Sequence, residues 1–449
     1  MIKRIDVDFL SGNIIRSLII FAIPVFISSI FQQLYNTTDT IIVGHVLGEN
    51  SLAAIGACSS VYDLLVGFAL GVGNGMSIVI ARIYGSKKYD LLKKSVAGAI
   101  IIGIILCIII TLFSELFLYD FLKLLNTPYN IIDEAYDYIA LITLFVFVMF
   151  AYNICAGIMK SIGNSIIPLI FLIVSSVTNI ILDIVFIVYL NMGVKGAAIG
   201  TVLAQAFSSL LCILYIKKHY DILIPTPEDF NIDINLYKEL LGQGFSMGLM
   251  MSIVSIGTVI LQTSINSLGS TVIAGHTAAR KISTFACMPC STIASSLSVF
   301  VSQNNGAGLQ ERIYKGVKYG NIIVIIWSLI ITIIMFLFAR NFIKIISGST
   351  NPIILENGTN YLIINAPFYS ILGILLNLRS SLQGLGRKIV PLISSVIECI
   401  GKILFVVFLI SYLGYFGIII CEPIIWCIMC IQLAYAFYKN KKNHKHLEL

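Results

Sequence analysis

The chain has 449 residues, 58% of them apolar and only 11% charged, with a mean hydropathy of +0.96. A soluble domain carries about 25% charged residues, so a soluble enzyme, a disordered chain and a nucleic-acid-binding protein are all excluded. The formal charge of +7, from 29 Lys and Arg against 22 Asp and Glu, reads as the orientation signal of a polytopic membrane protein.

The stretch up to Arg16 mixes charges of both signs without a cleavage pattern, so no signal peptide is expected. Apolar stretches of about 20 residues, enough to cross a bilayer as a helix, then recur twelve times. They fall at 14–38, 52–80, 95–118, 134–158, 165–189 and 196–216. After a polar segment they resume at 243–267, 273–302, 316–338, 358–381, 389–411 and 416–438. Barrel strands are excluded, because the runs are too long and do not alternate. The expected fold is an all-α polytopic membrane protein of two six-helix bundles, residues 1–216 and 243–438. Residues 217–242, with Pro225 and Pro227, read as a cytoplasmic linker, and 439–449 as a basic cytoplasmic tail.

Loop charges set the orientation. Arg82, Lys87, Lys88, Lys93, Lys94, Lys160, Lys217, Lys218, Arg312, Lys315, Arg387 and Lys388 fall on one side, together with both termini. The other side receives Lys123, Lys195, Arg340 and Lys344. Both termini are therefore expected in the cytoplasm, with the chain in the cell (inner) membrane. The ten cysteines need no disulfide framework. Cys287-Met-Pro-Cys290 and Cys427-Ile-Met-Cys430 lie in apolar runs without a histidine at ligand spacing, so neither metal nor redox chemistry is expected of them.

The two halves echo each other. Gly85 and Lys94 match Gly306 and Lys315 at a shift of 221 residues. Pro168-Leu169-Ile170 matches Pro391-Leu392-Ile393, and Tyr189-Leu190 matches Tyr412-Leu413, at a shift of 223. An even number of helices per half makes both halves enter the membrane in the same sense. A pseudo-twofold along the membrane normal follows, as in transporters built from parallel repeats. Gly67, Gly71, Gly73 and Gly75 in the second span allow close helix approach. They are no nucleotide loop, since no strand precedes them.

Gln32-Gln33-Leu34-Tyr35-Asn36, followed by Asp39-Thr40-Ile41-Ile42-Val43-Gly44, resembles the first helix of the multidrug and toxic compound extrusion (MATE) family. Leu52-Ala53-Ala54-Ile55-Gly56 and Lys160-Ser161-Ile162-Gly163-Asn164 up to Pro168 are similar to it as well. The resemblance covers essentially the whole chain and points to the DinF-like bacterial branch. It implies an antiporter, monomeric and without a cofactor, that expels drugs or other organic cations by alternating access against H⁺ or Na⁺.

Ionisable residues inside a membrane are costly and mark functional sites. Counting about 1.5 Å per residue, Asp39 lies near the outer leaflet, and Asp183 lies in the outer half of the fifth span with Asn179 one turn deeper. Thr201 and Tyr138 return to that level. The family's N-lobe ion site is similar, and the spacing Asn179-x-x-x-Asp183 then Thr201 matches its pattern. The expected coupling residues are thus Asp39, Asp183, Asn179, Thr201 and Tyr138. The first four could hold Na⁺ through oxygen ligands, or the carboxylates could take a proton, and the sequence leaves that choice open. Pro24 removes one helical hydrogen bond. It is expected as a hinge whose bending the resemblance ties to ion binding, although a static kink fits equally. Gln33, Tyr35 and Asp63 are candidates for a substrate cavity, with Met247, Met250 and Met251 as apolar lining.

The second half departs from this pattern. Asn179 shifts onto Lys402 and Thr201 onto Glu422, whereas Asp39 shifts onto Ile260 and Asp183 onto Val406. With Glu398 one turn from Lys402, a Glu398–Lys402–Glu422 cluster is expected, either structural or part of coupling. Family members with a second-half sodium site carry carboxylates on spans 7 and 10, where this sequence has none. His276, Arg280 and Lys281 form a further group on span 8, and with Lys402 they supply all the expected intramembrane basic residues. A flippase for lipid-linked precursors is the alternative, favoured by a cationic cavity. An intramembrane enzyme would need a nucleophile–base or metal constellation that the sequence lacks.

Overall fold

A computed structural model describes residues 6–124 and 127–447, apart from the side chains of residues 59, 60, 63 and 442–447. The side chain of Asp63 and those of the expected basic tail from Lys442 onward thus lie outside the described residues. The first half comprises α1 (Ile14–Val46), α2 (Glu49–Gly85), α3 (Tyr89–Leu124), α4 (Ile132–Leu144), α5 (Val146–Ser161), α6 (Ile166–Asp183) and α7 (Gly193–His219). The second comprises α8 (Ile234–Asn266), α9 (Ser270–Gly306), α10 (Gln310–Ser347), α11 (Pro352–Asn365), α12 (Tyr369–Gly384), α13 (Ile389–Leu404), α14 (Ile410–Leu413) and α15 (Tyr415–Leu447). Among the described residues eleven helical runs are long and apolar enough to span a bilayer, and the bent pair α4–α5 makes a twelfth.

Several helices outrun their apolar stretches. The polar end of α1 stays helical to Val46, and Thr37, Thr38 and Thr40 satisfy their hydroxyls within it by donating to the carbonyls of Gln33, Leu34 and Asn36, at 2.8, 2.9 and 2.7 Å. α1 also runs unbroken through Pro24, whose carbonyl accepts the Ser28 hydroxyl at 2.8 Å. The expected 217–242 linker is shorter, since α7 reaches His219 and α8 begins at Ile234. Residues 220–233 remain as a connection holding two 3₁₀ turns, Asp221–Leu223 and Pro227–Phe230.

Two compact units result, and their boundary is not the linker. One contains the described parts of Met1–Phe9 and Ile23–Ser252 with Gly306–Gly308; the other contains Leu10–Ala22, Ile253–Asn305 and the described part of Leu309–Leu449. α1 and α8 therefore each change unit along their length.

The internal repeat extends to element lengths. α1 and α8 each have 33 residues, and α2 and α9 each have 37. α6 and α13 each continue into a π turn, Ile184–Tyr189 and Phe405–Leu409. The fourth span is interrupted in both halves. Between α4 and α5 the chain bends by 50°. There Thr143 returns its hydroxyl to the Ile139 carbonyl at 3.0 Å, and Thr111 on α3 donates to the Thr143 carbonyl at 2.9 Å. Side-chain bonds of this kind compete with the helical ladder and bend it. In the second half a 3₁₀ turn, Ala366–Phe368, separates α11 from α12, and Thr332 on α10 donates to the Ala366 carbonyl at 2.9 Å.

In the first unit α2 lies on the start of α8. A Cβ at Gly71 would stand 2.8 Å from the Gly248 Cα, and one at Gly75 would stand 2.6 Å from the Gly244 Cα. Of the four expected close-approach glycines these two serve that purpose; Gly67 faces open space and Gly73 makes ordinary contacts. Asp6 accepts hydrogen bonds from Tyr220 Oη at 2.7 Å and Asn164 Nδ2 at 2.9 Å, and the Val7 N–H donates to the Gly163 carbonyl at 3.0 Å. The Lys160–Asn164 motif thus anchors the N-terminal segment.

Candidate functional site

In the first unit α1, α6 and α7 bring together most of the expected coupling residues. Asp183 is fully buried, with Asn179 and Thr201 almost so, while Asp39, Tyr35 and Tyr138 are half-buried. Asp183 and Asn179 share one face of α6, a turn apart. The amide orientation that matches donors to acceptors has Asn179 Nδ2 donating to Asp183 Oδ2 at 3.1 Å and its oxygen accepting the Thr201 N–H at 3.1 Å. Tyr35 Oη lies 3.3 Å from Thr201 Oγ1. The Asp39 and Asp183 carboxyls lie within hydrogen-bonding reach of each other, and Asp39 Oδ1 is buried without a partner. Tyr138 packs beside Val43, Ile187 and Ala197, close enough to couple electrostatically to Asp39. Gln33 is half-buried on the same helix, two residues before Tyr35.

Two carboxyls in such contact are all acceptors when ionised. They need a proton between them or a cation beside them; the hydroxyl oxygens of Thr201 and Tyr35 are ligands a hard cation takes, whereas Asn179, oriented as above, turns its NH2 to Asp183 and its oxygen to the Thr201 N–H.

Three supporting features escape a sequence reading. Gly200 on α7 leaves room for Asp183, because a Cβ there would collide with the Asp183 Oδ1. The π turn begins at the residue after Asp183, and such turns widen a helix at functional positions. Tyr62 lies near enough to act electrostatically on both Tyr35 and Tyr138. A single glycine or tyrosine in an apolar run gives no signal of either role.

The second unit corrects the expected three-residue cluster. Lys402 binds Glu398 at 3.0 Å and donates to Thr258 Oγ1 at 3.4 Å; it is near enough to act electrostatically on Glu422 but makes no direct ion pair with it. Glu422, on α15, instead binds Arg280 of α9 at 2.6 Å and accepts the Tyr361 hydroxyl of α11 at 3.1 Å. Glu398 has a second cation, Arg379 of α12, at 3.7 Å. Arg379 also donates to Ser394 Oγ at 3.0 Å. The expected set of intramembrane basic residues therefore lacked Arg379. The physical reason is direction: Glu398 shares a helix face with Lys402, whereas Glu422 faces α9 and α11.

His276 is enclosed edge-on by the rings of Tyr361 and Tyr415, with Nδ1 3.3 Å from Tyr415 Oη, as an interior histidine commonly is. A cavity of about 20 Å³ among Thr258, Gln262, His276, Arg280, Tyr361 and Glu422 has room for about one water molecule. Met247 and Met250 are buried and Met251 is exposed.

The MatE family model matches residues 24–185 and 247–425, one stretch in each half. The chain is 24% identical over 439 residues to "Probable multidrug resistance protein YoeA" of Bacillus subtilis, covering 94% of this chain and 93% of that protein. It is 25% identical over 399 residues to "Probable multidrug resistance protein YpnP" of the same organism, covering 87% of each. A crystal structure of a MATE protein in the bent conformation superposes with a TM-score of 0.91 at 23% identity, over 99% of both chains. At that identity the superposition establishes the fold.

Proposed function

The chain belongs to the MatE family of transporters and is not an enzyme, and from this premise we propose that it is a secondary antiporter exporting drugs or organic cations against H⁺ or Na⁺. The observation that carries the proposal is the Asp39–Asp183 carboxyl contact framed by Asn179, Thr201 and Tyr35. A site that must be neutralised, and can be neutralised reversibly, changes charge as its ion comes and goes. Antiport follows if ion and substrate favour different states of the protein. The names of the multidrug resistance relatives support drugs as the substrates. Pro24 suits the part of hinge, since the division of α1 between the two units falls between Ala22 and Ile23, just before it. We place the chain in the cell membrane with both termini cytoplasmic, on the loop charges, and take it to be a monomer, as the family resemblance implies.

The flippase alternative requires unpaired basic groups. Arg280, Arg379 and Lys402 all face carboxylates, so of the four basic residues Arg280, Lys281, Arg379 and Lys402 it is Lys281 that supports it.

The test is ethidium efflux from proteoliposomes of the purified chain, with a pH gradient and a Na⁺ gradient imposed separately. Efflux driven by one of them and absent without it is the expected result. Efflux indifferent to both gradients would sink the antiport reading.

A further inference from the structure

A cavity in the first unit lies away from the carboxyl site. It measures about 410 Å³ and is bounded by α3, α5, the end of α7 and the connection after it. Its lining is apolar save for Lys217, the one charged residue, which stands exposed at the connection end. Leu223, Ile224 and Pro225 close that end. Along α3 the lining runs from Val96 to Cys107, and along α5 from Phe147 to Ile158. Each stretch covers about 16 Å at ~1.5 Å per residue, roughly half of a hydrocarbon core of ~30 Å. The groove is thus one leaflet deep. Its rim residues Ile104, Phe147 and Ile213 are exposed on helices that span the membrane, so it opens toward lipid.

We propose that this groove is a binding site for an anionic phospholipid, with one acyl chain along α3 and α5 and the phosphate at Lys217. Length, apolar wall and terminal charge together match that molecule. An organic cation fits poorly, because the single polar side chain would repel it and drug pockets carry several polar anchors. Phe150 forms the back wall, its ring laid against Gly103 where any Cβ would collide with it. A basic side chain at a membrane surface attracts anionic headgroups, and the apolar trough holds the chain in place.

The experiment is native mass spectrometry of the full-length protein, after exchange into detergent from vesicles of mixed phosphatidylglycerol and phosphatidylethanolamine. The unaltered chain is expected to retain one phospholipid, enriched in phosphatidylglycerol. Ala151→Trp, from a half-buried position in the lining, fills the groove and should strip that lipid. Ile104→Trp, at the exposed rim, does the same without loading the core, and it decides the matter if Ala151→Trp does not fold. Lys217→Gln should keep a lipid but lower the preference for phosphatidylglycerol by about fivefold. No retained lipid in the unaltered chain, or equal retention in the filled variants, overturns the site. An unchanged headgroup preference in Lys217→Gln overturns the assignment of the phosphate. Displacement of the lipid by ethidium would give the groove to the exported substrate and overturn the proposal.

Discussion

Asn179 and Lys402 stand at the same helical position in the two halves, each thirteen residues beyond the first residue of its helix. One presents a neutral amide to a pair of carboxyl groups. The other brings its own ammonium, fastened to Glu398 at 3.0 Å. A tethered cation cannot be exchanged, so under the proposed mechanism the exchangeable ion belongs to the first half.

Stability should reveal how the charges of the second half are shared. Glu398 serves both Lys402 and Arg379. Glu398→Gln leaves two buried cations without their carboxylate and should cost about 3–5 kcal/mol. Lys402→Met should cost less, because Arg379 remains to balance Glu398. Thermal unfolding in detergent reads the order, and a Lys402→Met variant less stable than Glu398→Gln refutes the shared carboxylate.

Transport should fail selectively. Asp183→Asn should abolish gradient-driven efflux and Asp39→Asn should nearly do so, with both proteins inserted and folded. Substrate binding in detergent should survive better than transport, since coupling is what is lost. If Asp183→Asn exports ethidium at the parent rate while Glu422→Gln is inactive, the ion site lies in the second half.

Gly200→Ala should mimic the loss of Asp183 without removing a carboxyl. The new methyl group would enter the space of the Asp183 Oδ1 and cost about 1–3 kcal/mol in overpacking. Efflux is expected to fall toward the Asp183→Asn level while the folded protein persists. Parent-level efflux would mean that the carboxyl position is not critical.

The connection after α7 should loosen in acid. The Asp229 carboxylate accepts the Thr226 N–H and hydroxyl, both at 2.8 Å. These bonds hold its carboxyl below the ordinary carboxylate value, with Lys93 and Lys94 adding to the effect. A depressed folded value means that the stabilisation is present above the ordinary value and is lost as pH falls through the depressed one. Amide exchange at Thr226 should therefore stay protected at neutral pH, after correction for intrinsic rates, and lose protection only in strong acid. Asp229→Asn should weaken the neutral protection, and protection insensitive to both changes contradicts the cap.

Membrane orientation is open to cysteine labelling in a background with the native thiols replaced. A thiol introduced beside Lys123 or Ser349 should react with an impermeant reagent added outside intact cells. One beside Lys87 or Asp229 should not, and labelling at Lys87 would invert the topology.

Most of the architecture was legible because the bilayer imposes it: length and hydropathy mark each span, and repeated motifs mark the halves. Asp39, Asn179, Asp183 and Thr201 stood out because polar groups in apolar runs are rare. Pairings between distant helices were not legible. Arg280 meets Glu422 across 142 positions, and no spacing rule says which way a carboxylate on α15 faces. Arg379 sits at the end of an apolar run, where a basic residue usually marks the membrane surface. The α4–α5 bend has no proline to announce it; its cause is a hydroxyl on another helix.

That hydroxyl has a bearing on ancestry. Thr111 and Thr332 are separated by the repeat distance, and so are their acceptors at Thr143 and Ala366. The donor must be a hydroxyl, but the acceptor is a backbone carbonyl that every amino acid supplies. Drift at 143 and 366 is therefore invisible to the contact, whereas drift at 111 and 332 breaks it. Two copies of one gene can thus lose a matched letter at the acceptor and keep the bond, so kinship between the halves can run deeper than their shared residues suggest.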